Sequence, residues 1–178
     1  MKTAVLVIDV QTTLFDPEPQ PFEAGQVIAN INIVTQWART KSYPVIFVQH
    51  ERADTIIEYK SGGWQLQQDL VTLDDDILIR KTTPDSFLHT DLQQSLKQHQ
   101  INHLVVCGYA SEFCVDTTIR RAAGLGYSVE LVADAHTTHD KPHASADAIR
   151  SHHNHTLPNI ASFGVTIAAI STLELIRG

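Results

Sequence analysis

The chain has 178 residues, of which 43% are hydrophobic and 19% charged, a composition typical of one globular domain spanning residues 1–178. Its formal net charge of -7 argues against a nucleic-acid partner, because phosphate backbones are bound by clustered lysine and arginine, and no such cluster occurs. Asp9 and Gln11 interrupt the first apolar run. We therefore expect no signal peptide, no membrane partner and a cytoplasmic location.

Hydrophobic patterns predict a strand, a loop, a helix and a second strand in the first 50 residues. Residues 3–9 are apolar up to the aspartate that ends the run, which predicts a buried strand. Segment 11–25 contains three prolines and predicts a loop that folds over the end of that strand. Apolar side chains recur at helical intervals over 24–41, and residues 45–49 predict the second strand.

The pattern weakens in the middle of the chain and then resumes. Segment 51–76 predicts an irregular excursion carrying one short helix, followed by a brief third strand at 77–79. A helix is predicted from about 90 to 99, and the apolar run at 104–107 predicts the fourth strand.

The last third continues the alternation of helices and strands. A helix is predicted over 114–125, a fifth strand at 127–132 and a polar loop at 134–140. A further helix is predicted over 143–155 and a last strand at 165–169, closed by a short helix.

Regular alternation of strands and helices predicts an α/β fold, a three-layer Rossmann-like parallel sheet with helices on both faces. In such sheets ligands bind beyond the carboxyl ends of the strands. The residues that end the first three predicted strands or follow them are Asp9, His50 and Lys81, and the turn after the fourth strand leads to Cys114. The sequence therefore predicts that Asp9, Lys81 and Cys114 converge at one edge of the sheet.

Cys114 is the candidate reactive residue. Gly108 permits a sharp turn after the fourth strand, and Ser111 is a favourable N-cap, which places Cys114 in the first helical turn. Free N–H groups and the helix dipole at that position favour a thiolate. The alternative is a small apolar residue that packs the helix onto the sheet. Cys107 is the only other cysteine, and we expect no disulfide between them.

A cysteine with a carboxylate and a lysine forms a workable hydrolytic set, because the carboxylate accepts the thiol proton and the cation stabilises the ionised forms. Each residue has a simpler alternative. Asp9 at a strand end is often a turn or cap residue, and Lys81 beside Arg80 is often a solvated surface charge. The coincidence of all three at one predicted edge favours the catalytic interpretation.

Three parts of the sequence resemble the isochorismatase-like cysteine hydrolase superfamily: Val7-Ile8-Asp9-Val10-Gln11, the isolated Lys81, and Gly108-Tyr109-Ala110-Ser111-Glu112-Phe113-Cys114-Val115. The resemblance runs through essentially the whole chain, and its most specific part is the last motif. It implies a triad of Cys114, Asp9 and Lys81 and a non-proline cis peptide between Tyr109 and Ala110. It also implies an oxyanion hole formed by the backbone N–H groups of Ala110 and Cys114.

The resemblance implies a cysteine hydrolase that cleaves a C–N bond of a small amide or carbamoyl compound through a thioester. The alternative is a non-catalytic binding or scaffold member of the same fold. A thiol redox protein and a dinucleotide-binding protein are both disfavoured, because neither Cys-x-x-Cys nor Gly-x-Gly-x-x-Gly occurs. We expect a small-molecule substrate, no cofactor and a homo-oligomer, since members of the superfamily commonly assemble.

Seven residues near the predicted edge are candidates for substrate binding. The aromatic ones are equally consistent with core positions. The candidates are Gln11, Phe15, His50, Trp64, Phe87, Tyr109 and Phe113.

No metal site is expected. Nicotinamidases of the superfamily carry Asp-x-His and further histidines after the second strand, whereas this chain has Gln49-His50-Glu51 there. His50 is expected to form a pocket wall. Histidines are frequent near the C-terminus, but their spacing matches no zinc motif. They are His136, His139, His143, His152, His153 and His155.

Overall fold

Six parallel strands form one sheet in the computed structural model, which describes residues 1–178. The strands are β1 Thr3–Ile8, β2 Val45–His50, β3 Ile77–Lys81, β4 His103–Tyr109, β5 Ser128–Thr137 and β6 Ile167–Ile170. Their spatial order is β3-β2-β1-β4-β5-β6, the order of a Rossmann fold, which reverses direction between β1 and β4. The predicted α/β class and parallel sheet are confirmed.

Six α-helices connect and cover these strands. They are α1 Thr12–Phe15, α2 Ala24–Thr40, α3 Leu92–Gln98, α4 Asp116–Gly124, α5 Ala146–Thr156 and α6 Thr172–Arg177. A π-helical turn, Ser111–Val115, precedes α4, and a 3₁₀ turn, Leu157–Asn159, follows α5.

The two faces of the sheet bury separate cores, because alternate side chains of a strand point to opposite faces. Leu6 and Ile8 of β1 lie in one core with Ile119 of α4. Val7 lies in the other with Val27 of α2. Two cores on opposite faces are the three-layer arrangement that the sequence predicts. None of the helices combines the length and the apolar character that a membrane span requires.

The segment 51–76 differs from its prediction, since it contains turns and no helix. Its sequence has no helical spacing of apolar residues, and several of its backbone groups bond to the chain that follows β1. Thr12 N–H donates to the Gln65 carbonyl at 2.9 Å, and Gln67 N–H donates to the Val10 carbonyl at 3.0 Å. The stretch 11–25, predicted as a loop, correspondingly begins with α1.

Strand β5 is longer than predicted and includes residues 134–137 of the expected polar loop at 134–140. Its register against β4 shifts between Val106 and Gly108, after which Gly108 pairs with His136 and Tyr109 with Thr137. His136 and Thr137 are fully buried. Buried polar side chains are normally hydrogen-bonded, so His136 is expected to have partners inside the protein.

Candidate active site

Asp9 follows β1 in a left-handed backbone conformation, with φ of 52°. Aspartate is among the residues that tolerate this region best. The turn is held by Asp9 N–H donating to the Val48 carbonyl at 2.9 Å and by Gln11 N–H donating to the Asp9 carbonyl at 3.0 Å. The carboxylate is thereby directed into the protein, where Asp9 is only 2% exposed.

Gly108 brings the end of β4 against the end of β1. Its φ is 121°, and a Cβ atom at this position would lie 2.1 Å from the Ile8 carbonyl oxygen. Only glycine fits such a close approach of two backbones. Because Ile8 is the neighbour of Asp9, this contact fixes the segment carrying Cys114 beside the carboxylate.

Cys114 lies in the π-helical turn, half-buried, and the Tyr109–Ala110 peptide before it is cis, as the resemblance implies. The predicted N-cap is wrong. Ala110 occupies that position and makes no side-chain cap, while the Ser111 hydroxyl contacts His136 Nδ1 at 2.8 Å. Ser111 thus ties the turn to β5.

A buried hydrogen-bond chain holds Ser111 from behind. Asn154 Nδ2 donates to the Ala133 carbonyl, so Asn154 Oδ1 accepts from His136 Nε2 at 2.9 Å. The unprotonated Nδ1 of His136 then accepts from the Ser111 hydroxyl. Burial lowers the pKa of His136 to about 4, so the ring is neutral. Sequence reasoning missed this role, because the stretch around His136 carries no apolar strand signal.

Lys81 lies at the centre of the site with its side chain fully buried. Its ammonium Nζ is 2.7 Å from Asp9 Oδ2 and 3.3 Å from Cys114 Sγ. The same atom is 3.1 Å from His50 Nδ1 and 3.1 Å from the Thr83 carbonyl. Lys81 and His50 are neighbours across β3 and β2, which directs both side chains to the same point. The structure therefore brings Asp9, Lys81 and Cys114 together.

The sequence predicts a lowered pKa for the Cys114 thiol, whereas its surroundings in the structure raise this pKa. Burial, and then the negative charge of Asp9, raise its pKa to about 12, although Lys81 acts in the opposite direction. The resting thiol is protonated. Asp9 Oδ1 is buried without a hydrogen-bond partner, and the ligand atoms of Asp9 and Cys114 lie within 4.8 Å of each other. The carboxylate is placed to receive the thiol proton.

His50 forms part of the same polar floor. Burial and the charge of Lys81 lower its pKa, so the imidazole is neutral near pH 7. Its Nδ1 accepts from Lys81, which leaves the proton on Nε2.

A cavity of about 240 Å³ opens above Cys114 and is called the active-site cavity below. Its walls include four of the seven predicted substrate-binding residues, namely Gln11, His50, Tyr109 and Phe113. The remaining lining residues are Asp9, Leu14, Ile57, Pro84, Ala110 and Cys114. Leu14, Ile57 and Pro84 were not predicted, because nothing in their local sequence distinguishes them from ordinary loop and helix residues.

Gln11 lines the cavity, but its side-chain amide is hydrogen-bonded to backbone groups. Nε2 donates to the carbonyls of His50 and Trp64, and Oε1 accepts from His50 N–H at 2.8 Å. Gln11 therefore joins β2 to the 51–76 segment.

Phe15, Trp64 and Phe87, which were also predicted to bind substrate, do not line the cavity. Phe15 is 2% exposed in the core and contacts Tyr109 edge to face. Phe87 stacks on Tyr127 in the opposite core. The Trp64 ring packs against Tyr59. All three are large apolar side chains for which burial in packed protein is favourable.

The backbone N–H of Ala110 has no hydrogen-bond acceptor in the protein, although Ala110 is 2% exposed and lines the cavity. A buried N–H without a partner is uncommon in proteins. It is a donor available to a bound ligand.

Asp9, His50 and Cys114 are the one set of three side chains whose potential metal-ligand atoms converge. The Lys81 ammonium already donates to an atom of each. A divalent cation there would be repelled by that buried charge, so this set does not fit a metal. The C-terminal histidines do not converge on a common point.

The sequence matches the model of the isochorismatase domain over residues 3–167. The chain belongs to the isochorismatase family. It is 34% identical over 142 residues to streptothricin hydrolase from Streptomyces noursei, a match that covers 79% of this chain and 51% of that enzyme. It is 28% identical over 175 residues to ureidoacrylate amidohydrolase from Pseudomonas syringae, covering 75% of this chain and 70% of the relative.

The solved structures of this family have the same fold. An isochorismatase from Pseudomonas putida KT2440 superposes with a TM-score of 0.86 at 26% identity, covering 97% of this chain and 89% of that one. This isochorismatase-family protein is a hydrolase by relationship.

Proposed function

We propose that this isochorismatase-family hydrolase cleaves a C–N bond of a small amide or carbamoyl compound through a thioester on Cys114. The observation that carries the proposal is the convergence of a thiol, an unpartnered buried carboxylate oxygen and a shared ammonium beneath a cavity. These groups supply a nucleophile, a proton acceptor and a fixed positive charge.

In the first half-reaction Asp9 accepts the Cys114 proton, and the thiolate attacks the carbonyl carbon of the substrate. The oxyanion that forms accepts hydrogen bonds from the N–H groups of Ala110 and Cys114, each of which contributes about 3 kcal/mol in comparable sites. When the tetrahedral intermediate collapses, the C–N bond breaks and the protonated Asp9 gives its proton to the leaving nitrogen. A thioester and an amine or ammonia result.

In the second half-reaction Asp9 takes a proton from water, and the resulting hydroxide attacks the thioester carbon. The C–S bond breaks, the acid product leaves, and the Asp9 proton returns to the Cys114 sulfur. Lys81 contacts Asp9 and Cys114 throughout, so it stabilises the negative charge on whichever of them carries it.

The names of two relatives support this reaction class, since one is an amidohydrolase of ureidoacrylate and the other hydrolyses streptothricin. The ureido group of the first substrate class is a carbamoyl group on nitrogen. Both relatives belong to the same family as this chain, and they favour amide and carbamoyl compounds as the first to be assayed.

The test is a screen of small amides, ureas and carbamoyl compounds for ammonia release, with substrate-dependent mass spectrometry to detect an acyl adduct. Cys114→Ala should abolish ammonia release and the adduct. The matched control is Cys107→Ala, which removes the fully buried thiol of β4 and should retain both. Ammonia release that persists in Cys114→Ala would contradict the proposed nucleophile. Binding without turnover by any compound would instead favour a non-catalytic member of the fold.

A further inference from the structure

The active-site cavity is small and mostly apolar above its reacting groups. Its volume of about 240 Å³ is below the roughly 300–1,000 Å³ of common ligand sites, so it accepts a compact molecule. Leu14, Ile57, Pro84 and Phe113 contribute apolar side chains to its walls. Such walls bind hydrocarbon groups and offer nothing to a charged one.

No lysine or arginine lines the cavity. Lys81 is fully buried below it and already has four acceptors for its three protons. The nearby Arg80 is turned away, since it makes two hydrogen bonds of 2.7 Å to Glu51 and stacks on Tyr59 at 3.6 Å.

Lys141 is also engaged, at 3.3 Å from Glu112. Arg80 and Lys141 are therefore both paired with protein carboxylates. A carboxylate in the cavity would lie near Asp9 with no lysine or arginine on the cavity wall, an unfavourable arrangement.

Besides the Cys114 N–H assigned to the oxyanion, two uncharged donors on the cavity wall are free to contact a substrate. The first is the Ala110 N–H, which has no acceptor in the protein. The second is His50 Nε2–H, because Nδ1 is occupied by Lys81 and the ring is neutral. The Gln11 amide is used by the backbone. Neutral donors suit a neutral carbonyl oxygen or ureido group.

On the basis of the proposed function, we infer that the substrate is an uncharged, compact amide or urea whose remaining part is apolar and carries no carboxylate. In its hydrolysis the C–N bond breaks, water supplies hydroxide to the carbon and a proton to the nitrogen, and no other reactant is needed. The apolar walls hold the hydrocarbon part, and Ala110 and His50 orient the carbonyl.

The first test uses pairs of compounds that differ by replacement of a terminal methyl with a carboxylate. Pentanamide is compared with glutaramate, and propylurea with N-carbamoyl-β-alanine. Ammonia release should give kcat/KM at least tenfold higher for the neutral member of each pair. A preference for the carboxylate members would overturn the inferred substrate class while leaving the proposed hydrolase intact.

The second test adds a cation to the wall. Ile57→Arg should shift the kcat/KM ratio toward the carboxylate member, because it supplies the missing counter-ion. Ile57→Met is the matched control, with comparable bulk and no charge, and should keep the preference for the neutral member. An unchanged ratio in Ile57→Arg would contradict the assignment of selectivity to the uncharged wall.

The third test does not depend on turnover. Cys107 is fully buried, so alkylation reports on Cys114. The rate of Cys114 alkylation by iodoacetamide is divided by the rate with iodoacetate. This ratio should be at least tenfold higher for Cys114 than for a free thiol at the same pH. A ratio at or below that of the free thiol would overturn the inference. If none of the amides or ureas is hydrolysed, the proposed function fails, and this ratio still decides the charge preference of the site.

Discussion

Replacing Asp9 with asparagine should separate thiol ionisation from catalysis. The substitution removes the only carboxylate beside Cys114 and leaves the Lys81 ammonium 3.3 Å from the sulfur. The negative charge of Asp9 raises the thiol pKa, and Lys81 lowers it. Asp9→Asn should therefore produce a more acidic thiol but a much lower turnover, because the proton acceptor is gone.

The size of the change follows from the distance. The ligand atoms of Asp9 and Cys114 are at most 4.8 Å apart. At an effective dielectric constant of about 20, two unit charges at that separation interact by about 3.5 kcal/mol, equivalent to about 2.5 in pKa. We expect the thiol pKa to fall from about 12 to about 9.5 in the variant. Loss of the general base should lower kcat by about 100-fold or more.

The assay is the rate of iodoacetamide alkylation of Cys114 as a function of pH, read by mass spectrometry, alongside ammonia release. Asp74→Asn is the control, because Asp74 is exposed and precedes β3, at the opposite edge of the sheet from Cys114. An alkylation midpoint that rises or stays constant in Asp9→Asn would refute the electrostatic reasoning. Retained turnover would refute the role of Asp9 as base.

Four further predictions concern other parts of the molecule. Lys81→Ala should abolish turnover and lower stability by about 3–5 kcal/mol in urea denaturation, because Asp9 is left buried without its counter-ion, and Lys81→Arg should not restore activity. The pKa of His136 is lowered from 6.5 to about 4, so between these pH values the unfolded chain binds a proton that the folded chain does not. The free energy of unfolding should therefore fall by about 3 kcal/mol as pH drops from 7 to 4, and by less in His136→Gln. Dialysis against a chelator should leave turnover unchanged, and recovery that requires added zinc or manganese would contradict this. Sedimentation at micromolar concentration should show a homo-oligomer, and a monomer would contradict it.

The positions of Asp9, Lys81 and Cys114 could be predicted because each follows or ends an apolar run. An uninterrupted apolar run predicts a strand covered on both faces, and parallel strands end at a common edge. Gly108 added a second signal, since a glycine at a strand end permits a turn that other residues cannot make. Residues at strand ends can therefore be placed from the strand pattern alone, without knowledge of what their side chains contact.

The surroundings of these residues could not be predicted in the same way. Phe87 and Leu14 are both apolar residues near the carboxyl edge, yet Phe87 packs on Tyr127 and Leu14 lines the cavity. Their different positions depend on contacts between segments far apart in sequence. The extension of β5 through His136 could not be predicted either, because its sequence is polar. Hydrogen bonds to Ser111 and Asn154 stabilise His136 in that position.

A thiol that is protonated in the free protein is compatible with catalysis, because the negative charge only has to move from Asp9 to Cys114 and both contact the Lys81 ammonium. Before reaction the negative charge is on Asp9, at 2.7 Å from the Lys81 ammonium. After proton transfer it is on Cys114, whose sulfur is 3.3 Å from the same ammonium. The net charge of the three groups is unchanged, so the apolar cavity above them imposes no new desolvation cost. An independently ionised thiolate would instead place two negative charges beside one positive charge, and this explains why burial and Asp9 together keep the thiol of the free protein protonated.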